Sequence, residues 1–137
     1  MKGNISARVI TQTNKAIAFL DASPLSLGHT LVIPKKHFPK IQDMDKLYSA
    51  SLFELFRDAI GAIEAAAGTN ASTVAIHNGV EAGQEIPHVH IHIIPRSRND
   101  GAGPVHSMFG NRPKVDHERM DMMLHKIKLH LPDEKLG

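Results

Sequence analysis

The chain has 137 residues, the usual size of one domain, and a formal net charge of +2 when its histidines are neutral. Its 16 lysines and arginines are scattered, which disfavours a duplex-binding protein, and the lack of cysteine excludes disulfides, cysteine-based zinc sites and a cysteine nucleophile. No apolar stretch approaches the roughly 20 residues needed to cross a bilayer, and the first residues carry no apolar signal segment. We therefore expect one soluble, cytoplasmic domain that binds neither nucleic acid nor membrane.

The beginning of the chain predicts three strands. Two β-prone runs, residues 7–13 and 15–22, flank Asn14, a residue that tolerates turn conformations, and together they predict a hairpin. A Pro- and Gly-containing segment follows, after which residues 29–33 resume a strand that Pro34 ends.

A long amphipathic helix is predicted over residues 45–67, where apolar side chains recur every three or four positions. Asp43 or Asp45 is the candidate N-cap, because a short carboxylate accepts hydrogen bonds from the free amides of the first turn. Gly68 is a plausible end of the helix, since glycine readily adopts the left-handed conformation found there.

The second half of the chain predicts two more strands. Residues 72–78 form the fourth strand, and a Gly-containing loop over residues 79–87 leads into a fifth at residues 88–94, which Pro95 stops.

Beyond the strands, residues 97–113 are rich in Gly, Asn and Pro and predict an irregular loop. A second helix is then predicted, ending at Pro132, from the spacing of Met120, Met123, Leu124, Ile127 and Leu131. Neighbouring antiparallel strands with helices outside favour an α+β fold, in which a five-stranded antiparallel sheet carries one long helix and a C-terminal helix.

The fifth predicted strand carries three histidines at alternating positions. In an extended strand His88, His90 and His92 point to one face, while the apolar residues between them point to the other. Because histidine titrates near neutral pH, one member of such a set can be a nucleophile or base while its neighbours donate hydrogen bonds. The residues alone leave two alternatives open: a non-catalytic polar face, and a metal site completed by His29 or Asp21.

The run His88-Val89-His90-Ile91-His92-Ile93-Ile94 resembles the signature of the histidine triad family, in which histidines alternate with apolar residues. Three upstream segments look like family segments in the family order and spacing: residues 19–24, residues 28–37, and Asn78-Gly79 with Ala82-Gly83-Gln84. The resemblance covers about residues 9–96 and does not extend to the tail beyond Arg96.

This resemblance implies a nucleotide hydrolase or transferase with a covalent nucleotidyl-histidine. The middle histidine, His90, would attack the α-phosphorus. A carbonyl beside His88 would hold the other ring nitrogen of His90 as N–H, His92 would contact the phosphate oxygens, and His29 would support the cluster from a neighbouring strand. These roles fit general chemistry, since a neutral imidazole nucleophile needs one nitrogen held as a donor so that the other keeps its lone pair.

The resemblance also implies the substrate contacts. Asp21 would accept hydrogen bonds from ribose hydroxyls, a task that suits an acceptor-only carboxylate, and Phe19 and Ala22 would lie near a purine base. Glycine in the loop before the triad lets backbone N–H groups converge on a phosphate. The remaining substrate-binding candidates are His77, Gln84, Glu85 and Ile86.

Three features depart from the better-known branches of the family. Glu85 stands where those branches have Ser or Thr near the leaving group, and it can assist a leaving amine or face solvent. His77 stands where they have Asn or Gln, which adds a titratable group that can act as a general acid near the scissile bond. The Cys-x-x-Cys that many microbial members use to bind structural zinc is absent, so we predict no metal site.

The expected activity is therefore nucleotidyl hydrolysis or transfer on a purine nucleotide conjugate of the phosphoramidate or dinucleoside polyphosphate type, releasing a nucleoside monophosphate. No cofactor is required for the nucleophile, although a divalent ion can accompany a polyphosphate substrate. By resemblance the protein is a homodimer whose two sheets join into one. The alternatives are a nucleotide-binding regulatory protein with incidental turnover and a histidine-liganded metal enzyme.

Overall fold

The computed structural model describes residues 7–132 of the chain. The chain divides into two compact units, Met1–Ala102 and Gly103–Gly137. The first unit carries the sheet and the long helix, and the second carries the C-terminal helix.

The first unit is built on a five-stranded sheet in which every neighbouring pair is antiparallel. The strands lie in the order β1-β2-β3-β5-β4, so β1 and β4 form its edges. This arrangement confirms the predicted α+β fold class. The strands are β1 Val9–Gln12, β2 Ala16–Leu20, β3 Thr30–Pro34, β4 Ala71–Ala75 and β5 Ile91–Arg96.

The predicted hairpin is formed by β1 and β2, but both strands are shorter than expected because side chains capture backbone amides at their ends. The hydroxyl of Thr13 accepts hydrogen bonds from the amides of Lys15 and Ala16, at 3.3 and 3.2 Å, and closes the turn. After β2, the carboxylate of Asp21 accepts from the amide of Ser23 at 2.8 Å. Such side-chain turns compete with strand pairing and end it.

The long helix α1 spans Lys46–Ala66, close to its predicted bounds. Asp45 is the N-cap, and its carboxylate accepts from the amide of Tyr48 at 2.9 Å. Gly68, with φ of +75°, follows the C-terminus in the left-handed region. These observations decide between the two predicted N-caps in favour of Asp45.

One face of the sheet packs under α1 and forms the core. The periodic apolar residues of the helix meet inward side chains of β2, β3 and β5, and each fully buried large apolar side chain contributes about 1.5–3 kcal/mol. The buried cluster comprises Ala16, Ala18, Val32, Phe38, Leu52, Leu55, Ala59, Ile63, Val89, Ile91 and Ile93. The opposite face of the sheet is not covered by α1, and there His92 lies beside half-buried apolar residues such as Leu31.

The strand β5 begins at Ile91, so the prediction that residues 88–94 form a strand was wrong at both ends. The amide of Val89 donates to the carbonyl of Phe38, a loop residue, at 2.8 Å instead of to a strand. At the other end, Pro95 lies inside β5, where the pairing with β3 has already ended at Ile93 and only β4 borders the strand. Proline is tolerated where one side of a strand needs no amide donor.

The strand β4 ends at Ala75, which is earlier than predicted. The side chain of Asn78 binds a neighbouring 3₁₀ turn, Ile41–Asp43, by accepting from the amide of Ile41 at 2.9 Å and donating to Gln42 at 3.0 Å. These bonds draw the chain away from the sheet edge. His77 therefore lies in the connecting segment and not on a strand.

In the second unit, the predicted C-terminal helix α2 spans His117–His130, with Asp116 as N-cap. A 3₁₀ turn at Val105–Met108 interrupts the predicted irregular loop. The apolar residues that predicted α2 are all exposed. No helix within residues 7–132 combines the length and apolar character that crossing a membrane requires.

Candidate active site

His90 is held in one tautomer by a backbone carbonyl. Its Nδ1 lies 2.8 Å from the carbonyl oxygen of His88. Because a carbonyl can only accept, Nδ1 must carry a proton and donate, so in the neutral ring Nε2 is the nitrogen that keeps its lone pair. This is the protonation state that a nucleophilic imidazole requires.

The carbonyl that orients His90 is itself anchored by the ring of His88. Nε2 of His88 donates to the carbonyl of Pro34 at 3.0 Å, and Nδ1 accepts from the amide of Phe38 at 3.2 Å. Burial lowers the pKa of His88, so the ring stays neutral with both nitrogens bonded. The ring of His37 stacks on it, with centroids 5.3 Å apart. The first triad histidine thus acts through its backbone, while its own ring fixes the peptide.

A second chain of hydrogen bonds fixes His29 and His92. Nδ1 of His29 accepts from the amide of Leu25 at 3.0 Å, so the proton of this ring is on Nε2. Nε2 of His29 lies 3.0 Å from Nδ1 of His92 and donates to it. His92 must then carry its own proton on Nε2. One amide at the start of the chain of bonds thereby determines the tautomers of two histidines.

The Nε2–H group of His92 is buried and has no hydrogen-bond partner within residues 7–132. Leaving a buried donor unpaired costs about 1–3 kcal/mol, so such groups in native proteins have a reason to persist. Burial, reinforced by repulsion from His90, His29 and His77, lowers the pKa of His92 to about 4. His92 is therefore a neutral, preoriented donor beside the His90 ring, whose centroid is 4.9 Å away.

Asp21 reaches this cluster from the end of β2. One carboxylate oxygen closes the turn to Ser23, and the other, Oδ2, lies 3.6 Å from Nε2 of His29. Asp21 thus stabilises a turn, as aspartate often does, and its second oxygen still faces the histidines. Asp21 raises the pKa of both His29 and His92 against the larger lowering effect of burial.

Asp21, His29 and His92 bring candidate metal-ligand atoms within 4.8 Å of one another. Their hydrogen bonds oppose a metal-binding role. His29 already accepts through Nδ1, so giving a second lone pair from Nε2 would require an anionic imidazolate or loss of the Leu25 bond. The donor set fits a hydrogen-bond relay better than a metal centre.

The loop before the triad contains Gly79 and Gly83, with φ of +108° and +99°, conformations that favour glycine. Gln84 is buried, and its side chain accepts from the amide of Gly79 and donates to the carbonyl of Pro39, both at 2.7 Å. The side chain of this predicted substrate-binding residue is therefore committed to the loop itself. Glu85 and Ile86, also predicted, are exposed beside it.

The remaining predicted residues lie on either side of His92. Phe19 on β2 is opposite Leu31 on β3, which is opposite His92 on β5, so the three side chains share the face away from α1. At the usual strand spacing, Phe19 is roughly 10 Å from His92. Ala22 is exposed beyond it, and His77 contacts His92 from the other side.

A family model described as the HIT domain matches residues 2–99. The chain belongs to the HIT domain family. The match covers the whole sheet, α1 and every histidine of the site, and it confirms the family resemblance of the triad and the upstream segments.

Relatives of this HIT domain include both uncharacterized proteins and named enzymes. The chain is 34% identical over 128 residues to an uncharacterized HIT-like protein of Methanocaldococcus jannaschii, covering 93% of this chain and 94% of that protein. It is 38% identical over 96 residues to the asymmetrical bis(5'-nucleosyl)-tetraphosphatase of Schizosaccharomyces pombe, covering 70% of this chain and 53% of that enzyme. It is 36% identical over 100 residues to the adenosine 5'-monophosphoramidase of the same yeast, covering 73% and 72%. The chain thus spans about half the length of the tetraphosphatase.

The fold of this HIT domain also matches a solved structure. A member of the HIT family from Bacillus subtilis superimposes with a TM-score of 0.83 at 28% identity, covering 96% of this chain and 93% of that chain.

Sequence reasoning missed the residues that hold the HIT-domain histidines in place. Pro34, Phe38 and Leu25 act through backbone groups, which no side-chain pattern reveals. His37 is exposed, and its ring stacks on that of His88. A signal for this loop was present, because Pro34 and His37 belong to the upstream segment that carries the family resemblance.

Proposed function

We propose that this HIT domain is a nucleotidyl hydrolase or transferase that attacks the α-phosphate of a purine nucleotide conjugate through His90. The observation that carries the proposal is the bond from Nδ1 of His90 to the carbonyl of His88, which leaves Nε2 as a free nucleophile. The relatives add support, since two of them are named as a bis(5'-nucleosyl)-tetraphosphatase and an adenosine 5'-monophosphoramidase. Both names describe hydrolysis of a nucleotide conjugate.

In the first displacement, the lone pair on Nε2 of His90 attacks the α-phosphorus, and the bond to the leaving group breaks. Negative charge on the phosphate oxygens meets the Nε2–H group of His92, which is already desolvated and oriented. A hydrogen-bond donor of this kind typically increases kcat by about 10²–10³-fold when it binds negative charge that develops in the transition state. Removing water beforehand lowers the reorganisation needed during reaction.

In the second displacement, water attacks the phosphorus of the nucleotidyl-histidine, and the electron pair of the P–N bond returns to His90. The product is a nucleoside monophosphate. Asp21 would hold the ribose, since Oδ2 has no backbone partner within the described residues. Phe19, with Ala22 beyond it, would contact the purine from the same face of the sheet. Gly83, Glu85 and Ile86 would bring loop amides toward the phosphate, and Gln84 would hold that loop in shape.

No cofactor is needed for this chemistry, because the nucleophile and the charge-stabilising donor both belong to the chain. A divalent ion would enter only as a companion of a polyphosphate substrate. Phosphoramidate hydrolysis should therefore survive exhaustive chelation. Stoichiometric zinc whose removal abolishes activity would instead favour the metal-enzyme alternative.

The assembly proposed is a homodimer in which two β4 edges pair. β4 follows β5 in unbroken register over five residue pairs, and Val74 on this edge strand is exposed. The other edge is less suited to pairing because β1 carries an irregularity between Val9 and Thr11, and such bulges block strand addition.

The test is covalent labelling with a nucleoside phosphoramidate carrying label on the nucleoside. Wild-type protein should retain acid-sensitive label and turn it over, whereas His90→Ala should do neither. His125→Ala, an exposed histidine on α2, is the matched control and should behave as wild type. Unchanged turnover in His90→Ala would refute the proposal, and tight binding of many conjugates without hydrolysis would favour a regulatory nucleotide-binding protein.

A further inference from the structure

His77 lies between the catalytic histidines and the loop that precedes them. Its ring centroid is 5.4 Å from that of His92, with the planes inclined at 55°. On its other side, a Cβ built on Gly83 would lie 4.0 Å from Cγ of His77. The side chain is half-buried and forms no hydrogen bond within residues 7–132. Both nitrogens of this ring are thus uncommitted within the described residues, and the ring lies beside the loop that the proposed function assigns to the phosphate.

The hydrogen-bond network identifies which histidines cannot supply a proton to a leaving group. His92 has one proton, on Nε2, and its Nδ1 is occupied by the N–H of His29. His29 cannot pass that proton on, because its own Nδ1 accepts from the amide of Leu25. Donation by His92 would therefore create an imidazolate. His90 is the nucleophile, and its only proton is bound to a carbonyl.

The loop contains two carboxylates, Glu81 and Glu85, and Glu85 is the nearer to the triad in the chain; it is less suited to proton transfer than His77. Its side chain is exposed, whereas His77 contacts the ring beside the nucleophile. Carboxylates in solvent are generally ionised at neutral pH and have no proton to give, while histidine is protonated and deprotonated in that range.

The geometry points to His77 as the general acid and base of the reaction, an inference that rests on the proposed nucleotidyl transfer to His90. As His90 attacks, the P–N bond of an amine leaving group breaks, and its electron pair takes a proton from the His77 imidazolium. Neutral His77 then accepts a proton from the water that attacks the nucleotidyl-histidine. The P–N bond to His90 breaks, both histidines return to their starting states, and the sum is conjugate plus water giving amine plus nucleoside monophosphate.

The test compares two leaving groups in His77→Gln, measured as leaving-group release in a single turnover. One substrate is a nucleoside 5'-phosphoramidate of an alkylamine, which needs a proton to depart. The other is a nucleoside 5'-(p-nitrophenyl) phosphate, whose phenolate departs without one. General acid catalysis is typically worth about 10²–10⁴, so amine release should slow by that factor while p-nitrophenolate release stays within a few-fold of wild type. His125→Gln on α2 is the matched control and should alter neither rate.

Normal p-nitrophenolate release by the variant would also show that it is folded. Equal slowing of both substrates would mean that His77 has only a structural or positioning role. Unchanged amine release would mean that His77 takes no part in the reaction. Either result overturns the inference but does not contradict the proposed function of His90. Selective loss of amine release in Glu85→Gln would transfer the role to Glu85. A wild-type protein that releases neither leaving group would overturn the proposed function together with the inference.

Discussion

Nε2 of His29 lies 3.0 Å from Nδ1 of His92, so one buried histidine sets the tautomer of another. His29 is only 2% exposed, and its second nitrogen is held by the amide of Leu25. The amide of Leu25 thus determines that His92 presents its Nε2–H group to the phosphate, although this amide does not contact substrate in the proposed mechanism.

Replacing His29 should impair both stability and turnover. His29→Ala leaves the Leu25 amide and Nδ1 of His92 without their partner, at about 1–3 kcal/mol for each buried polar atom left unpaired. Loss of an orienting partner should lower kcat by about 10–100-fold. Urea unfolding and steady-state kinetics measure the two effects. His29→Gln, whose amide can donate to His92, should recover part of kcat; no difference between the two variants would contradict the orienting role.

Stability should fall in mildly acidic solution because of His92. Burial, with repulsion from neighbouring histidines, lowers its pKa from 6.5 to about 4, so the unfolded chain binds a proton in that interval that the folded chain does not. The contribution of neutral His92 to the free energy of unfolding is fully present above about pH 6.5. It is lost as the pH falls toward 4, and it amounts to on the order of 3 kcal/mol in total. The lowered pKa values of His29 and His88 act with the same sign.

The measurement is the free energy of unfolding in urea at several pH values through this interval. His92→Asn should show a distinctly smaller decline than wild type. Parallel curves for the two proteins would contradict the assignment of a buried, neutral His92.

Gln84 should act through the shape of the loop. In Gln84→Glu, a carboxylate oxygen can still accept from Gly79, but the other oxygen would face the carbonyl of Pro39 in place of a donor. We expect the free energy of unfolding to fall by about 1–3 kcal/mol and KM to rise. Glu81→Gln, an exposed change on the same loop, should stay within about 0.5 kcal/mol of wild type. Equal stability of the two variants would contradict the role of the Gln84 side chain in holding the loop.

The proposed dimer can be tested with two matched valines. Val74 on β4 and Val9 on β1 are both 43% exposed on edge strands. If β4 edges pair, Val74→Lys should place two like charges at the interface and give monomers, while Val9→Lys should remain dimeric. Sedimentation velocity distinguishes the states. A monomeric wild type, or dissociation only in Val9→Lys, would contradict this interface.

The sheet and α1 could be predicted because they depend on local periodicity, and the capping preference limited the N-cap to Asp43 or Asp45. The alternation of buried and half-buried residues even continues through Val89 and His90, although the strand itself starts only at Ile91. Burial follows side-chain direction, whereas strand bounds depend on which backbone groups find partners. The amide of Val89 binds the carbonyl of Phe38, in a loop, and not a neighbouring strand.

The hydrogen-bond network of the site could not be predicted, because its members are far apart in the chain. The bond between His29 and His92 joins residues 63 positions apart, and that between Phe38 and His88 joins residues 50 apart. Several of these contacts use backbone groups, whose availability depends on the finished fold. The same reason explains Gln84, which the family resemblance suggested as a substrate-binding residue and whose side chain instead has two backbone partners in the loop.

The configuration at phosphorus is the most direct test of the two-step reaction at His90. A nucleotide conjugate made chiral at the α-phosphorus by isotopic or sulfur substitution would be hydrolysed by the wild-type protein in water carrying a different oxygen isotope, and the product configuration determined. Two successive in-line displacements, first by His90 and then by water, predict overall retention. Overall inversion would mean that water attacks the substrate directly, and it would contradict a nucleotidyl-histidine intermediate.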